Sequence, residues 1–241
     1  MKIDKVIISS TVDKNYLDFW PIVKKAWESL DIEPILFLVT KKEITDLDCN
    51  ILHIDKINDV FTAQNLRLLA PSLYPEDVCM ISDIDMMPLS RKYFLDSINN
   101  IKNDKFVIFR SDATPESMLP ICWNSALGST WGKIFSVNNI DEIKNTLIQW
   151  YPEKYKPFKK NWYLDQIQLR SHINNYEKKE SKKIVYFTDE ELNFKRLNRD
   201  TLDHDLAGFK INPEPYVDFH MPRPYSKNKE LINEVFELNF F

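Results

Sequence analysis

Blocks of apolar residues alternate with mixed polar segments along the chain. Six short runs are apolar at nearly every position, which is typical of strands that are buried on both faces. They cover residues 5–10, 35–39, 51–54, 78–82, 106–109 and 184–187. A strand with one face in water would instead alternate apolar and polar residues. The runs therefore predict a sheet that is covered on both sides.

Other segments show the spacing of an amphipathic helix. From Tyr16 to Leu30 large apolar residues recur every three or four positions, and Pro21 is acceptable in a first helical turn. Further helices are predicted over residues 62–69, 141–150, 230–236 and a stretch that begins near residue 163. The tail from Pro213 carries four prolines and is expected to be largely extended before the last helix. Because strands and helices alternate, the order favours an α/β fold with a mainly parallel sheet and helices on both faces.

Length and composition limit the kinds of ligand that the protein can bind. With 241 residues the chain is long enough for one large α/β domain and too short for two domains of typical size. The formal net charge of -4 gives no general field that would attract nucleic acid or an anionic membrane. The 3 glycines exclude a glycine-rich phosphate-binding loop. An anionic ligand would have to be met by a metal ion or by a few well-placed basic side chains.

The cysteines and the apolar segments indicate in which cellular compartment the protein is expected. Cys49, Cys79 and Cys122 are an odd number without the spacing of a metal site, and nothing in their positions demands a disulfide. No apolar run approaches transmembrane length, and the apolar segment near the start is too short for a signal peptide. We therefore expect a soluble protein of a reducing cytoplasm.

Two acidic residues end the buried run VCMIS, in the stretch VCMISDIDMMPL. Residues two apart in an extended strand face the same way, so Asp83 and Asp85 are predicted to project together. In an open α/β sheet ligands bind beyond the carboxyl ends of the strands, and Mg²⁺ or Mn²⁺ takes carboxylate oxygens together with substrate phosphates and water. The alternative is that Asp83 caps a turn and Asp85 is merely solvated. Because apolar segments flank the pair on both sides, we favour a metal site.

With this motif the sequence resembles the GT-A glycosyltransferases, the metal-dependent class that transfers a sugar from a nucleotide-diphosphate donor. The resemblance rests on six segments in the order that the family uses: KVIISST, TAQNLRLLAPSLYPED, ISDIDMMPL, WNSALG, NWYLDQIQL and DFHMPRP. It implies a single GT-A domain over residues 1–241 with a Rossmann-like sheet. Residues 1–110 would form the nucleotide-binding half, and residues 111–241 the acceptor half with a closing tail.

The resemblance also implies roles for residues of the first half. The nucleotide would lie at the end of the first strand, near Ser9, Ser10 and Thr11. Asp83 would contact the donor ribose and Asp85 the metal ion, and both aspartates count as candidate metal ligands. Gln64 and Arg67 share one helical face, where a basic residue would reach the nucleotide-sugar; otherwise Arg67 forms a surface ion pair.

Candidates in the second half have structural alternatives. Asp165 opens a helix, where an acidic residue is favourable in any case; the family position makes it a general base or a ligand of the donor sugar. His220 would complete the metal site, and Arg223 would meet the diphosphate. The cluster around His204 competes with His220 but is equally explained as a polar loop. The segment WNSALG is either a tight turn beside the core or a wall of the sugar pocket.

Together these features predict transfer of a sugar from a UDP- or GDP-sugar to a hydroxyl group of a glycan or other acceptor, assisted by Mn²⁺ or Mg²⁺. Direct displacement with inversion would use Asp165 as the base, whereas a retaining enzyme would not need it. One alternative is a phosphohydrolase with an aspartate nucleophile, although such a motif normally lies on the first strand. The other alternative is a nucleotide-sugar binding module without turnover.

Overall fold

The computed structural model describes residues 1–159 and 161–240. Within these residues the strands are β1 Lys5–Thr11, β2 Glu33–Val39, β3 Asn50–Leu52, β4 Val78–Ser82, β5 Met86–Pro88, β6 Phe106–Ile108, β7 Ser125–Leu127, β8 Ile184–Tyr186, β9 Arg196–Asn198 and β10 Asp218–His220. The α-helices are α1 Lys14–Leu17, α2 Trp20–Glu28, α3 Asp59–Leu69, α4 Arg91–Phe94, α5 Gly128–Phe135, α6 Ile140–Trp150, α7 Leu164–Glu177, α8 Leu202–Ile211 and α9 Tyr225–Phe240. Short 3₁₀ turns cover Ala70–Leu73, Asp96–Ile98 and Ser181–Lys183.

Seven strands form the central sheet, in the order β3-β2-β1-β4-β7-β6-β8. Strands β3, β2, β1 and β4 run parallel, β7 is antiparallel to both β4 and β6, and β8 is parallel to β6. Helices pack on both faces, so the buried strands read as continuous apolar runs. The predicted α/β fold with a mainly parallel, helix-covered sheet in one domain is confirmed.

The helix predicted from Tyr16 to Leu30 is two helices. The side chain of Asp13 caps α1 by accepting from the Asn15 N–H, and α2 starts afresh at Trp20. Pro21 is the reason, since inside a continuous helix its ring would clash with the carbonyl group four residues earlier. At the second position of a new helix the missing N–H costs nothing.

Two parts of the second half differ from the predicted pattern. The polar cluster around His204 belongs to helix α8, in which the fully buried side chain is Phe209. The proline-bearing tail is extended at β10, as predicted, but α9 already begins at Tyr225 and not near residue 230. With so few buried positions, α8 lacks the apolar stripe that identifies a helix from sequence.

The segment WNSALG belongs to the core. Trp123 is fully buried against Trp27 and Phe94, with ring centroids 5.7 and 5.0 Å apart. A Cβ atom on Gly128 would lie 2.0 Å from the carbonyl oxygen of Tyr74, so the backbones meet where a side chain cannot fit. The segment is therefore the core strand β7 that leads into α5, and neither the tight turn nor the sugar-pocket wall describes it.

Candidate active site

Two adjoining cavities, of about 150 and 250 Å³, open at the carboxyl ends of β1 and β4. The first extends along β1 to Ser9, Ser10 and Thr11, and the second extends to the start of α7 and the end of β10. Both are lined by Tyr16, Gln64, Arg67, Asp83, Asp85, Phe158 and Trp162. The second also has Asp165, His220 and Arg223 in its wall. Every candidate site residue from the sequence thus lines one cavity or both. His204 lines neither; it lies in a surface groove at the start of α8 that shares Arg199 with the second cavity.

The two aspartates of the motif lie in a turn. Strand β4 ends at Ser82, and the Met86 N–H donates to the carbonyl oxygen of Asp83 at 3.3 Å before β5 begins. The prediction that the pair continues the strand was therefore wrong. The turn nevertheless brings both carboxylates to the same cavities, which is what a shared ligand requires.

Arg67 joins two carboxylates in the walls of the cavities. Its Nη1 donates to Asp83 Oδ1, and its Nη2 donates to Asp165 Oδ2 at 2.9 Å. Arg67 is only 7% exposed and Asp165 only 3%, so the alternative of a surface ion pair for Arg67 was wrong. Burial raises the pKa of Asp165 above its ordinary value, although the Arg67 guanidinium acts in the opposite direction. The buried Nε of Arg67 has no hydrogen-bond partner among the described residues, which leaves one donor that a ligand could satisfy.

A second, three-stranded sheet brings distant residues to Asp85. Its order is β5-β10-β9, with β10 antiparallel to β5 and parallel to β9. His220 lies opposite Met86 and Asn198, so the ends of β10 and β9 meet the start of β5, directly after Asp85. The Met221 N–H donates to the Asp85 carbonyl oxygen at 3.0 Å, and the Arg199 N–H donates to that of His220 at 3.0 Å. Strand pairing therefore places Arg199 and His220 beside Asp85.

The Asp85 carboxylate faces three basic side chains. Its Oδ2 lies 2.9 Å from Arg199 Nη1, 3.6 Å from His220 Nε2 and 3.8 Å from Arg223 Nε. Burial alone would raise the pKa of Asp85, but these neighbours together hold it at about 2. Arg223 also lies over the ring of Tyr16, 4.8 Å from its centroid. Asp85 is thus a fully charged, fixed carboxylate near neutral pH.

An aromatic segment closes the other side of the cavities. Phe158 and Trp162 stack with ring centroids 4.3 Å apart, and Phe158 is 61% exposed. Gln64 holds this segment on α3, because its Oε1 accepts from the Tyr155 hydroxyl at 2.6 Å and its Nε2 donates to the Trp162 carbonyl oxygen at 3.5 Å. Gln64 therefore shapes the cavity wall as well as lining it.

Arg199 and Phe158 are among the residues of the cavity walls that the sequence did not indicate. Arg199 follows a three-residue strand and lies 114 positions from Asp85, and no local pattern links them. Phe158 belongs to an aromatic and lysine-rich connection that has no helical or strand period. A conspicuous cluster of aromatic residues directly before Asp165 was the one available signal.

The donor set suits a hard divalent cation in part. Asp83, Asp85 and His220 offer carboxylate oxygens and an imidazole nitrogen to one cavity, and the carboxylate oxygens are the ligands that Mn²⁺ and Mg²⁺ prefer. Across residues 1–159 and 161–240, however, no three His, Cys, Asp or Glu side chains are grouped closely enough to hold a metal by themselves. An ion at Asp85 would need further oxygen ligands from substrate and water.

Comparisons with known proteins identify the fold. No protein-family model and no curated protein matches the chain. Among solved structures it is similar to the glycosyltransferase GlyE of Streptococcus pneumoniae TIGR4, with a TM-score of 0.51 and 13% identity over 100% of this chain and 61% of GlyE. It is also similar to the galactosyltransferase LgtC, solved in complex with donor and acceptor sugar analogs, with a TM-score of 0.50 and 11% identity over 97% of this chain and 95% of LgtC.

The chain therefore has the fold of the GT-A glycosyltransferases, as the sequence resemblance predicted. At such low identity the comparisons establish the fold, and the residues of the site must carry any statement about chemistry. None of the described helices combines the length and apolar character that a membrane crossing needs.

Proposed function

We propose that the protein is a glycosyltransferase that moves a sugar from a nucleotide-diphosphate donor to a hydroxyl acceptor. The observation that carries this proposal is the convergence of acidic and basic side chains from several separate segments on two adjoining cavities beyond the sheet. Buried, paired charges of this kind are costly to assemble for stability alone. They are well suited to hold a divalent cation and an anionic diphosphate side by side.

The donor would occupy both cavities. The nucleoside would lie in the first cavity, along the end of β1 at Ser9, Ser10 and Thr11. Asp83, Asp85 and His220 would hold Mn²⁺ or Mg²⁺, with Arg223 facing the diphosphate. When bound, the cation supplies a Lewis acid that neutralises the negative charge on the departing diphosphate. Phe158 and Trp162 offer an aromatic face to the acceptor at the mouth.

Asp165 has two possible roles in this reaction. A general base needs to reach the acceptor hydroxyl and accept its proton. Asp165 is instead almost fully buried and bound to Arg67, which suits a ligand of the donor sugar better. Asp165→Asn would separate the roles: a base predicts at least a hundredfold loss of transfer with nucleotide affinity kept, and an inverted product by NMR. A product with retained anomeric configuration would assign Asp165 to sugar binding.

The proposed function is tested by a thermal-shift screen of UDP- and GDP-sugars with and without Mn²⁺. A donor at a hundred times its Kd should stabilise the native state by about 2.7 kcal/mol. Sugar release or transfer from the stabilising donor should then be abolished by Asp85→Ala. The matched control is Asp203→Ala, an exposed aspartate on α8 outside both cavities, which should keep full activity.

Two results would contradict the proposal. Full activity of Asp85→Ala in EDTA would remove the metal site from the reaction. Phosphate release from simple phosphomonoesters, with no effect of any nucleotide-sugar, would favour the phosphohydrolase alternative. That alternative needs an unpaired aspartate nucleophile, whereas Asp83 and Asp85 both form ion pairs with arginines.

A further inference from the structure

Arg199 is a basic residue of the site to which neither the sequence motifs nor the proposed donor contacts give a role. Its Nη1 donates to Asp85 Oδ2 at 2.9 Å, and its side chain is 20% exposed in the wall of the second cavity. Its backbone is held to His220, and three residues earlier Arg196 forms a bidentate pair with Asp218. The guanidinium group therefore comes from a well-supported strand end and not from a free loop.

The charges around the second cavity explain why Arg199 would leave Asp85 when a cation binds there. Three carboxylates line it, Asp83, Asp85 and Asp165, together with three guanidinium groups, Arg67, Arg199 and Arg223, and the imidazole of His220. Among the lining residues that the structure describes, the carboxylates and guanidinium groups balance one another. A divalent cation on Asp85 would therefore add unbalanced positive charge beside Arg199, where like charges repel strongly in a partly buried site.

The same cation would bring a partner for the displaced guanidinium. A nucleotide diphosphate carries the matching negative charge and offers paired oxygens, which a planar guanidinium binds with two parallel hydrogen bonds. Arg199 lies in the same cavity as Arg223 and His220, within reach of a diphosphate bound at Asp85. An arginine that leaves a carboxylate for a phosphate keeps its hydrogen bonds and its charge balance.

We propose that Arg199 is a diphosphate-binding residue that exchanges partners: it occupies Asp85 in the free protein and transfers to the donor diphosphate when cation and nucleotide bind together. This inference rests on the proposed function and adds a residue to it. Cation alone must displace Arg199 without giving it a new partner, so it binds weakly. Cation and nucleotide diphosphate therefore bind cooperatively, each favouring the other by the same factor.

The exchange predicts effects of opposite sign for one substitution. Arg199→Gln removes the competitor from Asp85, so Mn²⁺ alone should bind more tightly. The same change removes a charged hydrogen-bond donor from the diphosphate, so UDP, GDP or pyrophosphate at saturating Mn²⁺ should bind about 10- to 100-fold more weakly. A merely structural role for Arg199 would weaken both kinds of binding or neither.

The experiment measures Mn²⁺ binding by electron paramagnetic resonance and diphosphate binding by calorimetry on the full chain. Arg199→Lys keeps the charge and should restore much of the competition for Asp85, but less of the diphosphate affinity. Arg91→Gln is the matched control, because Arg91 is half exposed and pairs with the exposed Asp31 far from the cavities. Thermal melts of all variants verify that they are folded.

The outcomes separate this inference from the function on which it rests. Tighter Mn²⁺ binding with weaker diphosphate binding in Arg199→Gln supports the exchange. Normal binding by the wild type, with both affinities unchanged or both weakened in Arg199→Gln, overturns the exchange and leaves the proposed function standing. A wild-type protein that binds neither Mn²⁺ nor any of the three diphosphates refutes the proposed function and the exchange together.

Discussion

A buried ion pair supports the strands that carry Arg199 and His220. Arg196 on β9 and Asp218 on β10 are register partners, and they form two hydrogen bonds: Nε to Oδ1 at 2.7 Å and Nη2 to Oδ2 at 2.6 Å. Asp218 is fully buried, whereas 19% of the Arg196 side chain remains exposed. The pair therefore locks the alignment of two strands that are only three residues long.

Asp218→Ala would leave the guanidinium of Arg196 largely buried and without its carboxylate. Removal of one partner from a buried pair costs about 3–5 kcal/mol. Because a fifth of the Arg196 side chain reaches solvent, we expect the lower end, about 3 kcal/mol. For a chain of this length each kcal/mol shifts Tm by about 2–4 °C, so Tm should fall by about 6–12 °C.

Urea unfolding and calorimetry of Asp218→Ala would measure this cost. The matched control is Asp104→Ala, which breaks the ion pair of Asp104 with Lys183 at the surface, where the two side chains are 50% and 33% exposed. An exposed pair contributes little to stability, because solvent and salt screen its charges. If Asp218→Ala costs no more than Asp104→Ala, the buried pair does not hold the small sheet together and the reasoning is refuted.

Three further measurements test packing and protonation. Gly128→Ala should cost about 1–3 kcal/mol or prevent folding, because its Cβ would lie 2.0 Å from a carbonyl oxygen; the exposed Gly208→Ala should cost less, and equal costs would contradict this. Burial lowers the pKa of His172 below 6.5, so the native state resists protonation and stability should fall as the pH drops below that value. In His172→Phe the midpoint of urea unfolding should depend less on pH in this acidic range, and an unchanged dependence would contradict the assignment. Burial raises the pKa of Cys122 to about 12, so iodoacetamide at pH 8 should label Cys49 first; equal labelling by mass spectrometry would count against it.

The sequence was most informative where residues close in the chain act together. Buried strands such as β1 and β4 are recognisable because each contains consecutive apolar residues, and the motif at Asp83 is recognisable because two carboxylates follow such a run. The fold follows from the order of such elements. Pro21 shows the limit of a periodic pattern, since it was allowed within one helix and the chain formed two.

What the sequence did not show depends on pairing between distant segments. Strands β9 and β10 have three residues each, too few for a period of two to stand out. Their register is fixed by one ion pair and by the start of β5, and neither is visible in the local sequence. Arg199 is placed by that register, so it could be found only from the three-dimensional structure.

The side chains of the site are positioned by two different sheets, and Asp85 lies in the turn that joins them. Asp83 and Arg67 come from the central sheet and the helix packed on it, whereas Arg199 and His220 come from the small sheet. The Asp85 carbonyl oxygen accepts from Met221, and its carboxylate binds Arg199. A ligand that recruits both groups of residues would therefore also couple the two sheets. Donor binding should then protect the amides of β10 from hydrogen exchange more strongly than those of β1, which the central sheet already holds.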